Sequence, residues 1–250
     1  MHRWRLTAIA FSTFTLAACG GVQIAPAPQL PRALIDVLPT KVGVVIPEDQ
    51  RNFTHTETRG GLTWTISLGL GQQQLSRRIL ESTFRELSEF TDLESARSAV
   101  DLQAIFEPRI EQFSFATAQE TGGEYVAVTI RYRINVYAPN GERFDSLTLT
   151  GYGTASADGL GSAAPMEEAS RSAMRDAAAR FLTQFPETEV AKTLVTGKQL
   201  QVSAEDAMRA LAASGLRIEA VPIRVSRRID PNWRPAVPAV NSSAETPAAP

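Results

Sequence analysis

The side chains that most often do chemistry are scarce in this sequence. The chain contains one cysteine, Cys19, and 2 histidines, His2 and His55. His2 lies in a segment that we expect to be cleaved off, so a Ser-His-carboxylate relay would have to use His55. His55 lies in a polar stretch, and no nucleophile-elbow sequence is present. We therefore predict an ordinary exposed histidine there. These residues also make no recognisable zinc set, and the nearest approach to a calcium loop, from Glu142 to Asp145, lacks alternating carboxylates.

The acidic residues leave a hydrolytic function open as an alternative. Two facing carboxylates could serve a glycosidase, and the candidates are Glu111, Glu120, Glu124, Glu142 and Asp145. Such enzymes usually surround their acids with aromatic residues in a cleft, whereas the tyrosines near these acids are spread along a predicted hairpin. A solvated sheet face explains the acids better. The sequence predicts no catalytic residue, no metal site and no cofactor.

A glycine-containing junction invites comparison with phosphate-binding loops. Gly69-Leu70-Gly71 joins a predicted strand to a predicted helix, as those loops do. The expected third glycine is replaced by Gln74, and no Lys-Ser/Thr pair follows. The pattern favours a tight turn over a nucleotide site.

Residues 1–20 have the layout of an export signal. A positively charged start is followed by an apolar run from Leu6 to Ala18, which is too short to cross a bilayer as a helix. Small residues then precede Cys19. Because Cys19 is the only cysteine, no intramolecular disulfide can form.

The stretch Leu16-Ala17-Ala18-Cys19 resembles the lipobox of bacterial lipoprotein signal peptides. The resemblance implies that Cys19 receives a diacylglyceryl thioether, that residues 1–18 are removed, and that the new amino group is acylated. Two lipid signals give stable attachment to a bilayer. Gly20 follows the cysteine where an aspartate often signals retention in the inner membrane. The resemblance therefore favours the outer membrane, facing the periplasm.

The charge balance argues against a general nucleic-acid binder. The chain has a net charge of −2, with 25 basic and 27 acidic residues. Loss of Arg3 and Arg5 with the signal would leave 23 basic residues against 27, a net charge of about −4. Nucleic-acid binding requires a basic face. An apolar content of 43% is enough for an ordinary core.

Hydrophobic periodicity predicts an α+β domain. The clearest strand is 124–137, where alternate residues from Val126 to Val136 are apolar. Asn140-Gly141 then predicts a hairpin turn into a return strand, 142–154. The other predicted elements are strands 41–47, 54–57, 62–68 and 101–118, the last bent at Pro108, and helices 72–90 and 165–185. We expect a mixed, mainly antiparallel sheet with the two long helices packed on one face.

The side of strand 124–137 opposite the apolar one is polar. Its residues are Tyr125, Thr129, Arg131, Arg133 and Asn135. A cross-strand charge ladder explains these residues. A partner-recognition surface is the sharper alternative, and both interpretations stay open.

Composition divides the chain into five segments. Prolines between residues 20 and 40 and again beyond residue 230 argue against regular structure there. The predicted segments are a signal peptide (1–18), a lipidated cysteine with a proline-rich tether (19–40), the α/β domain (41–188), a small helix-containing appendage (189–228) and a disordered tail (229–250). In the appendage, a helix is expected to end at Gly215 and a strand to follow at 216–225.

The order of elements resembles small periplasmic α/β modules of outer-membrane lipoproteins. Examples are the YajG-type lipoproteins and the lipoprotein activators of peptidoglycan synthases. The likeness is carried by the strand 41–47, Asp101-Leu102, the hairpin 125–151 and the alanine-rich helix ending at Phe185.

These observations lead to one expected function and two alternatives. We expect a non-catalytic, lipid-anchored module that binds an envelope protein complex for transport, secretion or cell-wall assembly. The alternatives are a carboxylate-based periplasmic hydrolase acting on glycan and a homo-oligomeric structural scaffold.

Overall fold

The computed structural model of the protein describes residues 21–27, 36–157 and 163–202. All of them belong to one of the two compact units of the chain, Met1–Ala207. In chain order the elements are β1 (Gly21–Ile24), β2 (Leu38–Val45), α1 (Glu48–Arg51), β3 (Thr54–Arg59), β4 (Leu62–Ser67), α2 (Gly69–Thr83), β5 (Phe84–Phe90), α3 (Leu93–Arg97), β6 (Ala104–Ala116), β7 (Tyr125–Tyr137), β8 (Arg143–Ser156), α4 (Ala163–Gln184), a 3-10 turn (Phe185–Glu187) and α5 (Glu189–Val195).

The strands form a five-stranded sheet in the order β5-β2-β6-β7-β8 and a three-stranded sheet in the order β1-β4-β3. In the larger sheet, β2 runs parallel to both β5 and β6, while β6, β7 and β8 form an antiparallel meander. In the smaller sheet, β3 and β4 form a hairpin and β1 lies parallel to β4. The predicted α+β class with mixed, mainly antiparallel strand pairing is confirmed, but the single sheet expected from the sequence is divided, since β3 and β4 form the second sheet with β1.

One face of the meander is apolar and supports both long helices. The alternate side chains of β7 predicted to share a face are all buried, from Val126 at 2% exposure to Val136 at 0%. They join one core with Leu75 and Leu80 of α2 and with buried residues of α4. The predicted packing of two helices on one face is therefore confirmed.

Helix α4 lies unusually close to the sheet. Its small side chains Ala169, Ala173 and Ala177 are buried against β7 and β8. Opposite them on β8 stand Gly151 and Gly153, where an added Cβ would overlap the carbonyl oxygens of Ala173 and Ala169. The small alanine side chains allow the helix to approach, and the strand glycines complete the contact because only they leave room for the helix backbone.

The helix predicted over 72–90 is wrong in its second half. Helix α2 ends at Thr83, and β5 follows as an edge strand beside β2. The hydroxyls of Ser82 and Thr83 both donate to the Ile79 carbonyl oxygen, at 2.7 and 2.8 Å, and so cap the last turn. The apolar spacing of the segment suits either structure, and the free edge of β2 decides in favour of the strand.

The irregular stretch predicted between Gly20 and Thr40 contains regular structure at both ends. Gly21–Ile24 forms β1, and Ile24 is buried at 5% exposure. Strand β2 begins at Leu38, and Pro39 lies in a register shift between Leu38 and Lys41. Proline excludes only a continuous ladder, so a short strand before it and a bulge around it are both allowed.

The predicted bend of β6 at Pro108 is misplaced. Pro108 pairs with Ile134 in an unbroken ladder, and the register shift lies between Ile110 and Gln112. The Pro108 carbonyl accepts a hydrogen bond of 2.8 Å from Gln72 Nε2, outside the sheet. Pro108 is tolerated there because β2 pairs with β6 only as far as Phe106, so no ladder N–H is lost.

The predicted start of an appendage at residue 189 does not coincide with a break in the core. Helix α5 places Val190 and Leu194 in the main core, and Leu200 is buried there as well. Residues 200–202 form no strand. The predicted helix ending at Gly215, the strand 216–225, the tail 229–250, the signal 1–18 and Cys19 lie outside the described residues.

A glycine substitution tests the close contact of α4. We expect Gly153→Ala to lower the free energy of unfolding by about 2–3 kcal/mol, because the new methyl group would push α4 away from β8. Denaturant unfolding followed by the fluorescence of buried Trp64 measures the loss. Gly21→Ala is the matched control, since its Cβ would lie 3.8 Å from the nearest atom, the Thr63 carbonyl oxygen. Equal stabilities of the two variants would contradict the proposed packing.

Candidate functional site: the polar face of the meander

The face of the meander opposite the two long helices carries mainly polar side chains, and we call it the polar face. Strand pairing places Arg131 beside Thr150, and Arg133 between Arg109 and Thr148. The polar face comprises Glu107, Arg109, Glu111, Thr129, Arg131, Arg133, Asn135, Thr148 and Thr150. The predicted strand residues Thr129, Arg131, Arg133 and Asn135 thus share one face, as the alternation of β7 requires.

Glu111 organises the two central arginines. The register shift in β6 leaves Glu111 as the extra residue, with Gln112 opposite Arg131. Its carboxylate accepts a hydrogen bond from Arg133 Nε and lies 3.4 Å from Arg131 Nε. The two arginine side chains nevertheless remain 48% and 41% exposed. One carboxylate therefore holds two guanidinium groups in place and leaves one positive charge uncompensated.

Glu107 is the centre of a second group at the far end of the face. Its side chain is only 14% exposed and accepts hydrogen bonds from Arg109 Nη1 at 3.0 Å, Asn135 Nδ2 at 2.8 Å and Tyr137 Oη at 2.7 Å. Arg109 also donates to Asp49 at 2.5 Å. Burial, together with the hydrogen bond to Glu107, raises the pKa of Tyr137 to about 12. These contacts fix the side chains rather than offering them to a ligand.

The predicted partner residues differ in how accessible they are. Tyr125 is 40% exposed, whereas Asn135 is buried at 7% exposure. Asn135 therefore serves the Glu107 group rather than the surface. Tyr152 on the edge strand β8, 56% exposed, was not predicted. It lies on the same side as Thr129, its cross-strand partner, and Arg180 stacks over its ring at 5.6 Å.

His55 is less exposed than the sequence predicts. Its side chain is 24% exposed and its ring packs against Phe113, with centroids 5.1 Å apart. Nε2 lies 3.1 Å from Glu57, which also accepts from Arg59 at 2.7 Å. These two hydrogen bonds, that from Arg59 above all, hold the pKa of Glu57 below its usual value. β3 turns His55 toward the aromatic residues of β6, which the local polar sequence does not reveal.

Four of the five acids considered for glycan hydrolysis have local partners. Glu120 accepts hydrogen bonds from Thr117 N and Arg59, and Glu142 accepts one from Asn140. Asp145 accepts from the N–H of Ser146, while Glu111 lies with the two arginines. Among the residues that the structure describes, no hydrogen-bond donor is shared by two of the five acids.

The junction Gly69-Leu70-Gly71 is filled by protein. The N–H groups of Leu68 and Gly69 both donate to the Phe53 carbonyl oxygen, at 2.9 and 3.1 Å. A Cβ on Gly69 would overlap the Arg51 carbonyl oxygen. The glycine therefore serves close packing at the start of α2, and the N–H groups of Leu68 and Gly69 are already used by the Phe53 carbonyl oxygen.

Two cavities lie under or beside the helices. A cavity of about 30 Å³ between α2, α4 and the sheet is lined mainly by apolar groups and by Tyr132, whose hydroxyl is buried. A larger cavity of about 370 Å³ lies where α4 ends and includes Leu38, Phe181 and Phe185. Its charged lining residues are Asp36 and Lys192. Neither cavity opens on the polar face.

Two further findings concern only the part of the chain that the structure describes. No group of three or more His, Cys, Asp or Glu side chains is placed to hold a metal ion within residues 21–27, 36–157 and 163–202. Over the same ranges, no helix is both long and apolar enough to cross a membrane.

Comparison with known proteins gives only distant likenesses. No family model matches the chain, and no curated protein sequence matches it significantly. A solved structure of a neuraminyllactose-binding hemagglutinin homolog from Helicobacter pylori shares 8% identity and a TM-score of 0.40, covering 76% of this chain and 98% of that one. A minor lipoprotein from Acinetobacter baumannii shares 13% identity and a TM-score of 0.34, covering 66% and 99%. Similarity at this level says nothing about a ligand or partner.

The Glu107 group predicts a loss of stability at high pH. The folded protein keeps the Tyr137 proton up to a pKa of about 12, whereas an unfolded chain releases it near its ordinary value of about 10. The unfolded state then binds fewer protons, so the free energy of unfolding falls as pH rises from about 10 to 12. Denaturant unfolding at pH 8, 10 and 11.5 measures the decline.

Matched tyrosine variants test whether Tyr137 causes this decline in stability. Tyr137→Phe should lose less stability over that interval than the unsubstituted protein does, because it lacks one of the protons that folding retains. Tyr152→Phe, at an exposed position, should decline as the unsubstituted protein does. A Tyr137→Phe variant that loses as much stability as Tyr152→Phe contradicts the assignment.

Proposed function

We propose that the protein is a non-catalytic, lipid-anchored envelope module that binds a protein partner through the polar face of its meander. The observation that carries this proposal is the pair Arg131 and Arg133, held at a β-bulge by Glu111 yet 48% and 41% exposed. Arginine is enriched where proteins meet, because its planar donors make several directed hydrogen bonds. Side chains already fixed by Glu111 also lose less conformational entropy on binding.

The charges of the polar face indicate what kind of partner fits. Arg131 and Arg133 share the single carboxylate of Glu111, so an acidic group on the partner would complete the pairing. The neighbouring Thr148 and Thr150 add hydroxyls that both donate and accept hydrogen bonds. A partner surface that presents carboxylates to the arginines and polar groups to the threonines would therefore be complementary.

The anchor of this proposal is acylated Cys19. Its support is the likeness of Leu16-Ala17-Ala18-Cys19 to a lipobox and the presence of a single cysteine in the chain. Gly20 directly after the cysteine favours the periplasmic side of the outer membrane over the inner membrane. The lipid would concentrate the polar face at one surface, where an envelope protein complex for transport, secretion or cell-wall assembly would meet it.

Replacement of the anchoring residue tests the attachment. We expect Cys19→Ser to lower the membrane-bound fraction roughly tenfold or more and to abolish the mass added by the acyl chains, because no thioether can form. Cell fractionation and intact-protein mass spectrometry measure the two effects. Thr15→Ser, a conservative change in the same segment, should leave both unchanged. If Cys19→Ser protein still sediments with membranes and keeps the added mass, the anchor is wrong.

Replacement of the arginine pair tests the binding surface. Crosslinking in intact cells, followed by mass spectrometry, would first identify an envelope protein bound to the full-length protein. We then expect the combined substitutions Arg131→Ala and Arg133→Ala to weaken that complex about tenfold or more, since both hot-spot side chains are lost. Binding assays with the purified partner measure the change.

The chain offers a matched control for this experiment. Arg77 and Arg175 lie on the helices with exposures of 54% and 41%, close to those of the central pair. Each is also paired with a glutamate. Their combined replacement by alanine should leave the affinity within about twofold. Equal weakening by both double variants would show that the polar face is not the binding surface, and recovery of no envelope protein would count against a binding role altogether.

A further inference from the structure

The connection between Cys19 and the folded domain is much shorter than the proline-rich sequence predicts. Strand β1 begins at Gly21, which pairs with Thr63 of β4. Cys19 precedes Gly21 by two positions, so a fully extended chain separates their Cα atoms by at most about 7 Å. Any group attached to Cys19 is therefore tied closely to this end of the smaller sheet.

Two turns lie together at that end, which we call the hairpin end and define as residues 59–63 and 117–125. The turn of the β3–β4 hairpin contains Gly60 and Gly61, both with positive φ. Arg59 Nη1 donates a hydrogen bond of 3.0 Å to Glu120, in the connection between β6 and β7. Because β1 is parallel to β4, Gly21 enters the fold beside these turns.

The hairpin end exposes side chains that suit the boundary between lipid and water. Leu62 is 37% exposed and Tyr125 is 40% exposed. Tyrosine favours the head-group region because its ring is apolar and its hydroxyl is polar. Arg59 is paired here with Glu120, and the charged residues of the hairpin end, Arg59, Glu120 and Glu124, sum to a net charge of −1, so attraction to anionic lipid does not contribute. The short connection and these two side chains would keep the end at the membrane.

On the basis of the lipid anchor proposed above, we propose that the hairpin end rests on the head groups of the membrane and sets the orientation of the whole domain. Strand β7 starts at this end with Tyr125 and finishes at Tyr137. At about 3.3 Å per residue, it carries the polar face up to roughly 40 Å from the membrane. Arg131 and Arg133 then lie roughly 20–26 Å along the strand from Tyr125, where a partner on the same membrane can reach them from the side.

Helix α5 marks the opposite end of the domain. α4 follows β8 and runs back along the sheet, and it ends where Phe185 packs on Phe106, near the start of β6. Helix α5 follows directly, with Val195 at its last turn, 54% exposed. Val195 and Leu62 are therefore exposed apolar residues at the two ends of the domain, and they form a matched pair of sites for a probe.

Fluorescence quenching on vesicles measures the orientation. The full-length, acylated protein is reconstituted into phosphatidylcholine vesicles that contain a head-group spin-labelled phosphatidylcholine. Because acylation occupies the only native cysteine, Leu62→Cys or Val195→Cys supplies the sole free thiol for a fluorophore. We expect about twofold quenching at position 62 and less than about 1.2-fold at position 195. Tyr125→Cys gives a second site at the hairpin end and should be quenched like position 62.

The outcomes separate this orientation from the anchor itself. Equal quenching at positions 62 and 195, or none at positions 62 and 125, in protein that floats with the vesicles would overturn the orientation while the anchor stands. Protein that fails to float and reacts with two equivalents of maleimide would instead show a free Cys19, and both proposals would fall.

A longer connection provides an independent control. Twelve Gly/Ser residues inserted between Gly20 and Gly21 leave the stretch up to Gly20 and the strand β1 intact. The variant should still float with the vesicles, but quenching at position 62 should fall to the level of position 195, because the hairpin end is no longer held within about 7 Å of Cys19. Unchanged quenching would contradict a contact that depends on the short connection.

Discussion

The contact between α4 and strand β8 determines which face of the meander remains free. Gly151 and Gly153 allow the helix backbone to approach the sheet, and the alanines of α4 fill the space between them. Once that face is closed, the period of two along β7 sends Arg131 and Arg133 to the other side. A slip of one residue would carry both arginines into the core, so the same packing that stabilises the domain also specifies the polar face.

At the centre of the sheet, two glutamine side chains replace the backbone hydrogen bonds that β6 lacks beyond the end of β2. The N–H of Ile110 donates to Gln50 Oε1 at 2.8 Å, and the Pro108 carbonyl accepts from Gln72 Nε2 at the same distance. Gln50 and Gln72 are buried at 4% and 0% exposure. They satisfy the edge of β6 beyond its pairing with β2, and this allows β6 to continue as one long strand and to carry the bulge at Glu111.

Some of these features can be predicted from the local sequence, and others depend on contacts between residues that are far apart in the chain. The alternation in β7 is long enough that no other element explains it, so its two faces follow directly. The apolar spacing of the segment from Leu75 to Leu87 fits a helix as well as a helix followed by a strand. Arg77 and Glu89, which would be about 18 Å apart along one helix, form an ion pair of 2.5 Å because β5 folds back beside α2.

The candidate site was predictable in part for the same reason. Alternation identifies Arg131 and Arg133, but Glu111 belongs to the site only because of the bulge. The sequence gives one indication of that bulge. Residues on one face of a regular strand are separated by an even number of positions, whereas the apolar residues Ile110 and Phe113 are separated by an odd number. The bend was predicted at the wrong position because Pro108 is the more obvious irregularity in the sequence of β6. Asn135 shows the reverse error, because nothing near it in sequence indicates that Glu107 will bury it.

A flat polar face and a lipid anchor complement each other energetically. An open sheet face has no deep pocket, and its exposed ion pairs each contribute only about 0–1 kcal/mol, so an interface built on it would be weak for molecules free in solution. Attachment of both partners to one membrane makes the second contact effectively intramolecular, which raises the effective concentration to roughly the millimolar range for short flexible connections. Under the proposed anchoring, a few well-held arginines would then suffice for a specific complex, and the affinity would be lost when the anchor is removed even though the polar face remains intact.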